Sequence, residues 1–575
     1  MRALALLVLF AIAAAVVWLL AHRGDRPAPL PPPPVAAPQA LVPTPAPAEP
    51  SPALPAPERP TEPHAPQPAQ AEPSLPAGKL VTIRLSEKPA KTYAAAASGD
   101  SDRHYAELVR DLSGGRAVYD PNLGRAAREL AYQSTEFGDV VPSDVRSFAI
   151  ASAGAYAADS VFQQVRTNDE GPGPLRQAIQ ALVADIDDKE GPLRMGVGEV
   201  YRHGMKLPRH VGAVGTHLGV ALQGLPVRIA PGESWSLRGQ LLVPWRDVKA
   251  LVLQGDAQSE LPVQVHGNAL SVDVVAGPAV GPLDVQLVGE GPAGPGKLLQ
   301  VRAWVDRDPP DRMTAQVPPD ERGQSATEAE ALALRLLNAD RRRHGKPALA
   351  WDGQLADIAR AHSRDMQQHG FFGHQSPRTG LPNDRIKAAG YLAATHAENV
   401  AHNSTVFESQ EGLMHSLGHR RNILADEPSH VGIGIVVQDD GKRRRLWLTQ
   451  LFAKPALNLD AGQVEAAIAD RVHKARTAAG LLPVQLDAAL AVVARETAAS
   501  ARPDAFAGIA QAASQAAKDR DLFTGSLSAV AALTADPEHM NLPPAATAPE
   551  ASKLAVGAAR VPDSAQFAIV VMVVK

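Results

Sequence analysis

The sequence predicts a multidomain protein. Three related mixed α/β domains and one small β-sandwich follow an apolar N-terminal segment and a proline-rich spacer. Three observations predict this. First, a short motif recurs, as Tyr119-Asp120-Pro-Asn-Leu123-Gly-Arg-Ala-Ala127-Arg128, Trp351-Asp352-Gly-Gln-Leu355-Ala-Asp-Ile-Ala359-Arg360 and Leu486-Asp487-Ala-Ala-Leu490-Ala-Val-Val-Ala494-Arg495. Each copy reads as an Asp helix cap followed by apolar residues three and four apart. The offset of 135 between the last two also aligns Arg341 with Arg476 and Gly345 with Gly480. Second, the pattern changes from helical to short alternating strands between 226 and 306. Third, 20 of the 51 prolines lie between Pro27 and Pro76, so one segment carries the whole bias.

Size and charge set outer bounds. At roughly 150 residues per domain, 575 residues make about three or four domains. The hydrophobic fraction of 45% and charged fraction of 21% are ordinary for globular chains. Lys+Arg 57 against Asp+Glu 61 gives a net charge of -4, which offers no electrostatic case for nucleic acid as a partner. There are 0 cysteines, which excludes disulfides, thiolate catalysis and Cys-type zinc sites.

In chain order, residues 1–23 hold an uncharged apolar run from Ala3 to Ala21. It approaches the roughly 20 residues a bilayer span needs. It lacks the small-residue cleavage site of a signal peptide, so an uncleaved signal anchor is favoured over a cleaved signal. Residues 24–78 read as a proline-rich disordered linker, at ~3.1 Å per residue where extended. The helical pattern over 100–225 marks a first domain. Segments such as Val248-Lys-Ala-Leu-Val-Leu and Leu270-Ser-Val-Asp-Val-Val predict an immunoglobulin-like β-sandwich over 226–306. A polar linker is expected over 307–324, then mixed helix–strand domains over 326–456 and 462–575. Strand segments His217-Leu-Gly-Val-Ala, His430-Val-Gly-Ile-Gly and Lys553-Leu-Ala-Val-Gly align as later parts of the repeat.

The central domain holds the residues with chemistry. Phe371-Phe-Gly-His374, Ala397-Glu398-Asn399-Val400 and Ser416-Leu-Gly418-His419-Arg420-Arg-Asn422-Ile-Leu place two histidines and a glutamate in turn-like contexts. Arg385-Ile-Lys-Ala-Ala-Gly390-Tyr391 lies between them. Imidazole and carboxylate are both competent ligands for a divalent metal, and imidazole is a candidate acid or base near neutrality. Each residue also has a plain structural reading. His374 and His419 can hold loops by backbone hydrogen bonds, and Glu398 can cap a helix. The His415/His419 spacing lacks the glutamate of a zinc helix, and Gly418 is expected to interrupt that helix. The basic run Lys442 to Arg445 reads as a solvated hairpin tip.

In order and wording these segments resemble the CAP superfamily (cysteine-rich secretory, antigen 5 and pathogenesis-related 1), also called SCP domains, in its bacterial branch. The resemblance spans 326–456. It implies an α-β-α sandwich over that range, flanked by two degenerate CAP-like copies at 100–225 and 462–575. It also implies an open cavity with a His/Glu/Glu/His set that holds a divalent cation such as zinc in some members. Carried over, His374, Glu398 and His419 fill three positions. Leu413-Met-His-Ser416 replaces the tryptophan and second glutamate, and Glu408 and Glu411 are off register.

The expected ligand cavity comprises His374, Glu398, Asn399, Ser416 and His419, with His374 and His419 as metal ligands if zinc or another divalent cation binds. The leading expectation is an exported or membrane-anchored envelope protein that binds a lipid, cell-wall fragment or peptide. The body faces the periplasm or exterior, or is secreted if the signal is cleaved. One alternative is a metal-dependent hydrolase using His374, His419 and Glu398 as catalytic groups. The other is a structural envelope protein with an inert site.

Overall fold

The computed structural model describes residues 78–94, 99–137, 141–186, 191–292, 294–317, 319–439, 444–456, 459–502, 505–562 and 564–575. The apolar segment 1–23 and all but the last residue of the spacer 24–78 lie outside the described residues. Among the described residues no helix is long and apolar enough to cross a membrane.

The chain enters through β1 (Leu80–Arg84) and β2 (Thr92–Tyr93). The first domain then runs α1 (Arg103–Leu112), β3 (Ala117–Tyr119), α2 (Pro121–Gln133), α3 (Ser143–Ser152), β4 (Val161–Thr167), α4 (Gly173–Asp185), β5 (Leu193–Tyr201) and β6 (Arg209–His217). Ten strands follow: β7 (Val220–Leu222), β8 (Leu225–Pro226), β9 (Arg228–Ile229), β10 (Ser234–Leu241), β11 (Arg246–Gln254), β12 (Ala257–Pro262), β13 (Gln264–His266), β14 (Ala269–Val275), β15 (Gly281–Gly291) and β16 (Gly294–Val305). After β17 (Arg312–Gln316) comes the central domain. Its elements are α5 (Ala326–Arg343), β18 (Ala350–Trp351), α6 (Gly353–His369), α7 (Pro382–Ala388), β19 (Ala393–Asn403), α8 (Val406–His415), α9 (Leu417–Leu424), β20 (His430–Asp439) and β21 (Arg444–Pro455). The last domain holds α10 (Ala461–Ala478), β22 (Gln485–Leu486), α11 (Ala488–Ser500), α12 (Ile509–Asp519), β23 (Leu527–Thr534), β24 (Lys553–Arg560) and β25 (Phe567–Val574).

Three sheets share one topology: β3-β5-β6-β4, β18-β20-β21-β19 and β22-β24-β25-β23. In each, a short first strand runs parallel to its neighbour, and the other pairings are antiparallel. Each first strand is followed at once by an Asp that caps the next helix. Asp120, Asp352 and Asp487 accept from the backbone N–H of Leu123, Leu355 and Leu490 respectively. Each sheet is covered on both faces. In β25, Phe567, Ile569, Val571 and Val573 pack beneath α10, while Ala568, Val570 and Met572 pack beneath α11 and α12. The central sheet likewise packs Ile433 and Leu448 against α5, and Leu451 and Ala453 against α6. This is α-β-α layering, the arrangement expected for 326–456.

Glycine sets the helix–strand distance. A Cβ on Gly434 would lie 2.0 Å from the Arg360 nitrogen, and one on Gly557 would lie 2.2 Å from the Ala494 carbonyl carbon. In the first domain a Cβ on Gly196 would lie 2.0 Å from the Leu123 carbonyl carbon. The strand of that domain equivalent to β20 and β24 is therefore β5. The expected equivalence of 217–221 with 430–434 is corrected: those residues close β6 and form β7.

The sandwich packs sheet β13-β14-β10-β7 on sheet β12-β11-β15-β16-β9 around Trp235, Leu237, Val285 and Val301. Its first strand, β7, starts ahead of the expected boundary at 226. The polar linker expected over 307–324 contains β17, which pairs antiparallel with β1 from Leu80↔Gln316 to Arg84↔Arg312. Alternate residues Val81, Ile83 and Ala315 are buried while Leu80, Thr82, Arg84, Arg312 and Thr314 face out. So short an alternation does not read as a strand in sequence.

Candidate functional site

α6 ends on Gly370, whose φ of 65° is left-handed and turns the chain toward Phe371 and His374. That loop is stitched back onto α6. His362, 1% exposed, hydrogen-bonds the Gly373 carbonyl at 3.0 Å, and Ser376 donates to Asp365 at 2.5 Å. His362 is thus a packing residue, and burial lowers its pKa.

β19 is the edge strand of the central sheet, so its successive residues reach both faces at one rim. Glu398 turns toward the α6 layer. Its Oε1 accepts from His374 Nδ1 at 2.9 Å and its Oε2 from Arg385 Nη2 at 2.6 Å. Asn399 turns toward the α8–α9 layer and donates to the His419 carbonyl at 3.2 Å and to Gln450 Oε1 at 3.1 Å. Asn422 donates to Asn399 Oδ1 at 2.9 Å and to the Glu398 carbonyl on the strand edge at 3.2 Å. Gln450 donates to Gln410, and Gln410 to Asp340, continuing a buried polar chain through the layer. His374 and His419 meet around this rim with ring centroids 6.2 Å apart.

A cleft of about 2220 Å³ opens at the rim, and the first domain and the sandwich form its other walls. His374, Glu398, Ser416 and His419 line it, facing Asp159 and Lys297 from the other two domains. Asn399 does not line it. It is fully buried and positions His419 from behind. α8 and α9 break at Ser416 (φ -88°, ψ 111°), not at Gly418, which lies inside α9. His415 is exposed at the end of α8.

The electrostatics follow from packing. Burial pushes the His419 imidazole down to about 3, helped by His374 and Lys297 beside it. Burial alone would raise Glu398. The hydrogen bond from His374 and the Arg385 guanidinium outweigh it and hold Glu398 below the usual carboxylate range. An ionised Glu398 only accepts, so His374 carries a proton on Nδ1 and turns Nε2 away from the pair. The side chains gathered here do not fit a metal ion. Both Glu398 oxygens are engaged, and among the described residues no group of three or more His, Asp or Glu converges to hold one.

Sequence reasoning missed four contributors. Arg385 stood in a quoted motif without a role. Lys297, Asp159 and Gln286 lie in other domains, too far along the chain for any local pattern. The basic run is not a solvated tip where it is described. Arg444, its side chain 8% exposed, pairs with Glu321 at 3.1 Å, and Arg445 pairs with Asp185 at 3.1 Å. Lys442 and Arg443 lie outside the described residues.

Residues 334–452 match the sequence profile of CAP, the Cysteine-rich secretory protein family. This segment is a CAP domain. Over 131 residues the chain is 37% identical to the Bacillus subtilis (strain 168) protein YkwD, covering 23% of this chain and 49% of that one. Over 129 residues the chain is 34% identical to the membrane protein YlbC of the same strain, covering 22% of this chain and 35% of that one. The chain thus spans about half and a third of these relatives. Among solved structures, an extracellular protein containing a SCP domain from Bacillus anthracis str. Ames is similar at 22% identity and TM-score 0.21. That match covers 38% of this chain and 77% of the other. An outer surface protein from Borrelia burgdorferi is similar at 14% identity and TM-score 0.21, covering 23% of this chain and 96% of the other.

The shared topology allows the outer domains to be compared with the CAP domain position by position. Aligning Gly198, Gly434 and Gly557 and following the strand registers places Phe162 and Ala529 where Glu398 stands. Gln163 and Val530 take the place of Asn399. No carboxylate stands at the equivalent rim position in either outer domain.

Proposed function

We propose that this protein is an exported envelope protein whose CAP cleft binds an external ligand without a metal. The observation that carries this reading is the self-neutralised Glu398–Arg385 pair beneath the two imidazoles at the floor of the cleft. Such a floor offers hydrogen bonds and apolar walls rather than a charged reactive group. His374, Glu398, Ser416 and His419 contact the ligand, and Asn399 holds them in place. The ligand class is a lipid, cell-wall fragment or peptide. The relative described as a membrane protein supports an envelope location. The apolar run from Ala3 to Ala21 supplies the anchor.

We read the outer α/β domains as degenerate copies of the CAP domain that keep the scaffold and lose the site. Their identical strand order and shared Asp caps support this. We read the sandwich as immunoglobulin-like, a reading that two antiparallel-rich sheets packed face to face around a buried Trp support.

The test is native mass spectrometry of the full chain purified from envelope membranes, with a His374→Ala/His419→Ala variant alongside. A co-purified lipid, muropeptide or peptide mass that the variant loses supports the reading. Identical ligand-free spectra after exposure to envelope lipids, wall digests and peptides would overturn it.

A further inference from the structure

We propose that Arg385 is a built-in counter-cation that keeps this CAP site free of divalent metal, and that zinc enters only when its guanidinium is removed. This inference rests on the metal-free part of that reading, since both use the Glu398–Arg385 pair, while its zinc test is separate from the test for a bound ligand. Glu398 is the acid at the centre of the site, and its side chain is 1% exposed. Arg385, its side chain 5% exposed, holds Glu398 Oε2 at 2.6 Å. Arg385 is itself fixed by the Gly380 carbonyl at 2.7 Å and the His374 carbonyl at 3.1 Å. It cannot leave without breaking all of these hydrogen bonds.

Charge decides the matter. Glu398 and Arg385 sum to zero. A divalent ion placed beside them would leave two uncompensated positive charges in a buried site, the arrangement that low-dielectric surroundings penalise most. Ser416 and its neighbours supply no second carboxylate. Without Arg385, Glu398 is released toward the rim where His374 and His419 meet. The three side chains are then of the types zinc takes in sites that keep one open position. Arg385 is therefore a positioning residue. It orients Glu398, which in turn fixes the His374 tautomer.

Zinc titration of the full chain by calorimetry, with zinc-dependent thermal shift, tests this on wild type, Arg385→Gln, Arg385→Lys and Arg385→Gln/His374→Ala. The wild type and Arg385→Lys should show no stoichiometric zinc binding at this site. Arg385→Gln should gain one-to-one binding, at least about tenfold tighter than any residual wild-type uptake, and the added His374→Ala should abolish it. Stoichiometric wild-type binding that depends on His374 would overturn the proposal. So would a folded Arg385→Gln that takes up no more zinc than wild type. If Arg385→Gln does not fold alone, refolding with and without zinc decides: zinc-dependent recovery supports the proposal, and failure in both refutes it.

Discussion

His419 and Glu398 respond to acid in the same direction. The folded His419 value of about 3 lies below the free imidazole value of 6.5. The unfolded chain therefore binds the proton first, and stability present above 6.5 is lost as pH falls toward 3. Glu398 is held below its ordinary 4.5, so its contribution is present above 4.5 and lost as pH falls through its folded value. Acid should destabilise the CAP domain through both groups. By NMR, the His419 ring resonances should stay unchanged from neutrality to about pH 4, against the ordinary imidazole range near ~6.5. A midpoint above about pH 5 would contradict the neutral assignment. Removing one partner of the buried pair should be costly. Glu398→Ala leaves the Arg385 charge uncompensated and should lower stability by about 3–5 kcal/mol in urea denaturation. The sequence displayed Glu398 and both histidines because they sit in distinctive short motifs. It did not display the role of Arg385, because charge neutralisation depends on a partner 13 residues away across a turn and a strand.

At the scale of elements, the CAP domain and the last domain share a set of buried fasteners. Arg341, 0% exposed, donates to the carbonyls of Pro347, Ile423 and Ala425. Arg476, 2% exposed, donates to the carbonyls of Leu482, Ala546 and Ala548 in the last domain. Glu330 holds Arg360 and the Ile435 N–H, and Glu465 holds Arg495 and the Ala558 N–H in the same way. Both domains share these pairs because they tie a helix to a returning loop or strand, which each domain needs to fold. Arg476→Met should therefore destabilise the last domain by about 2–4 kcal/mol, comparable to the effect of Arg341→Met on the CAP domain. Local unfolding by hydrogen exchange reads this, and a near-neutral Arg476→Met would show that the fastener carries no load. Gly557→Ala should be at least as damaging, since its Cβ would lie 2.2 Å from the Ala494 carbonyl carbon and backbone cannot give way. The Asp caps and the 135-residue offset displayed these shared positions in sequence. The first domain's equivalent of β20 was misplaced because Gly196 and Gly198 align only through their contacts with α2. β1 and β17 escaped notice because they contribute only two buried residues and one, too few to show a period of two.

Across the whole folded body, the CAP domain is docked rather than tethered. Gln286 of the sandwich, 1% exposed, donates to the His415 carbonyl at 2.7 Å and accepts from the Leu417 N–H at 2.8 Å. One side chain thus satisfies both backbone groups on either side of the break at Ser416, just ahead of His419. Gln258 adds a bond to the Leu417 carbonyl at 3.0 Å, and Glu260 pairs with Arg421 at 3.1 Å. From the first domain, Arg146 pairs with Glu408 at 2.8 Å on α8. These contacts fall on the segment that carries His419 and Ser416, so the sandwich fixes one wall of the cleft as well as spacing the domains. Gln286→Leu keeps the bulk but leaves the two backbone groups unpaired, at about 1–3 kcal/mol for each group that stays buried. The loss should be local. Hydrogen exchange should quicken over 415–421 while the α6 and β20 cores keep their protection, and ligand retention in the cleft should fall with it. Uniform loss of protection across the CAP domain would mean that Gln286 supports the fold at large. Unchanged exchange over 415–421 would mean that the CAP domain holds the Ser416 break by itself, and that the sandwich has no part in shaping the site.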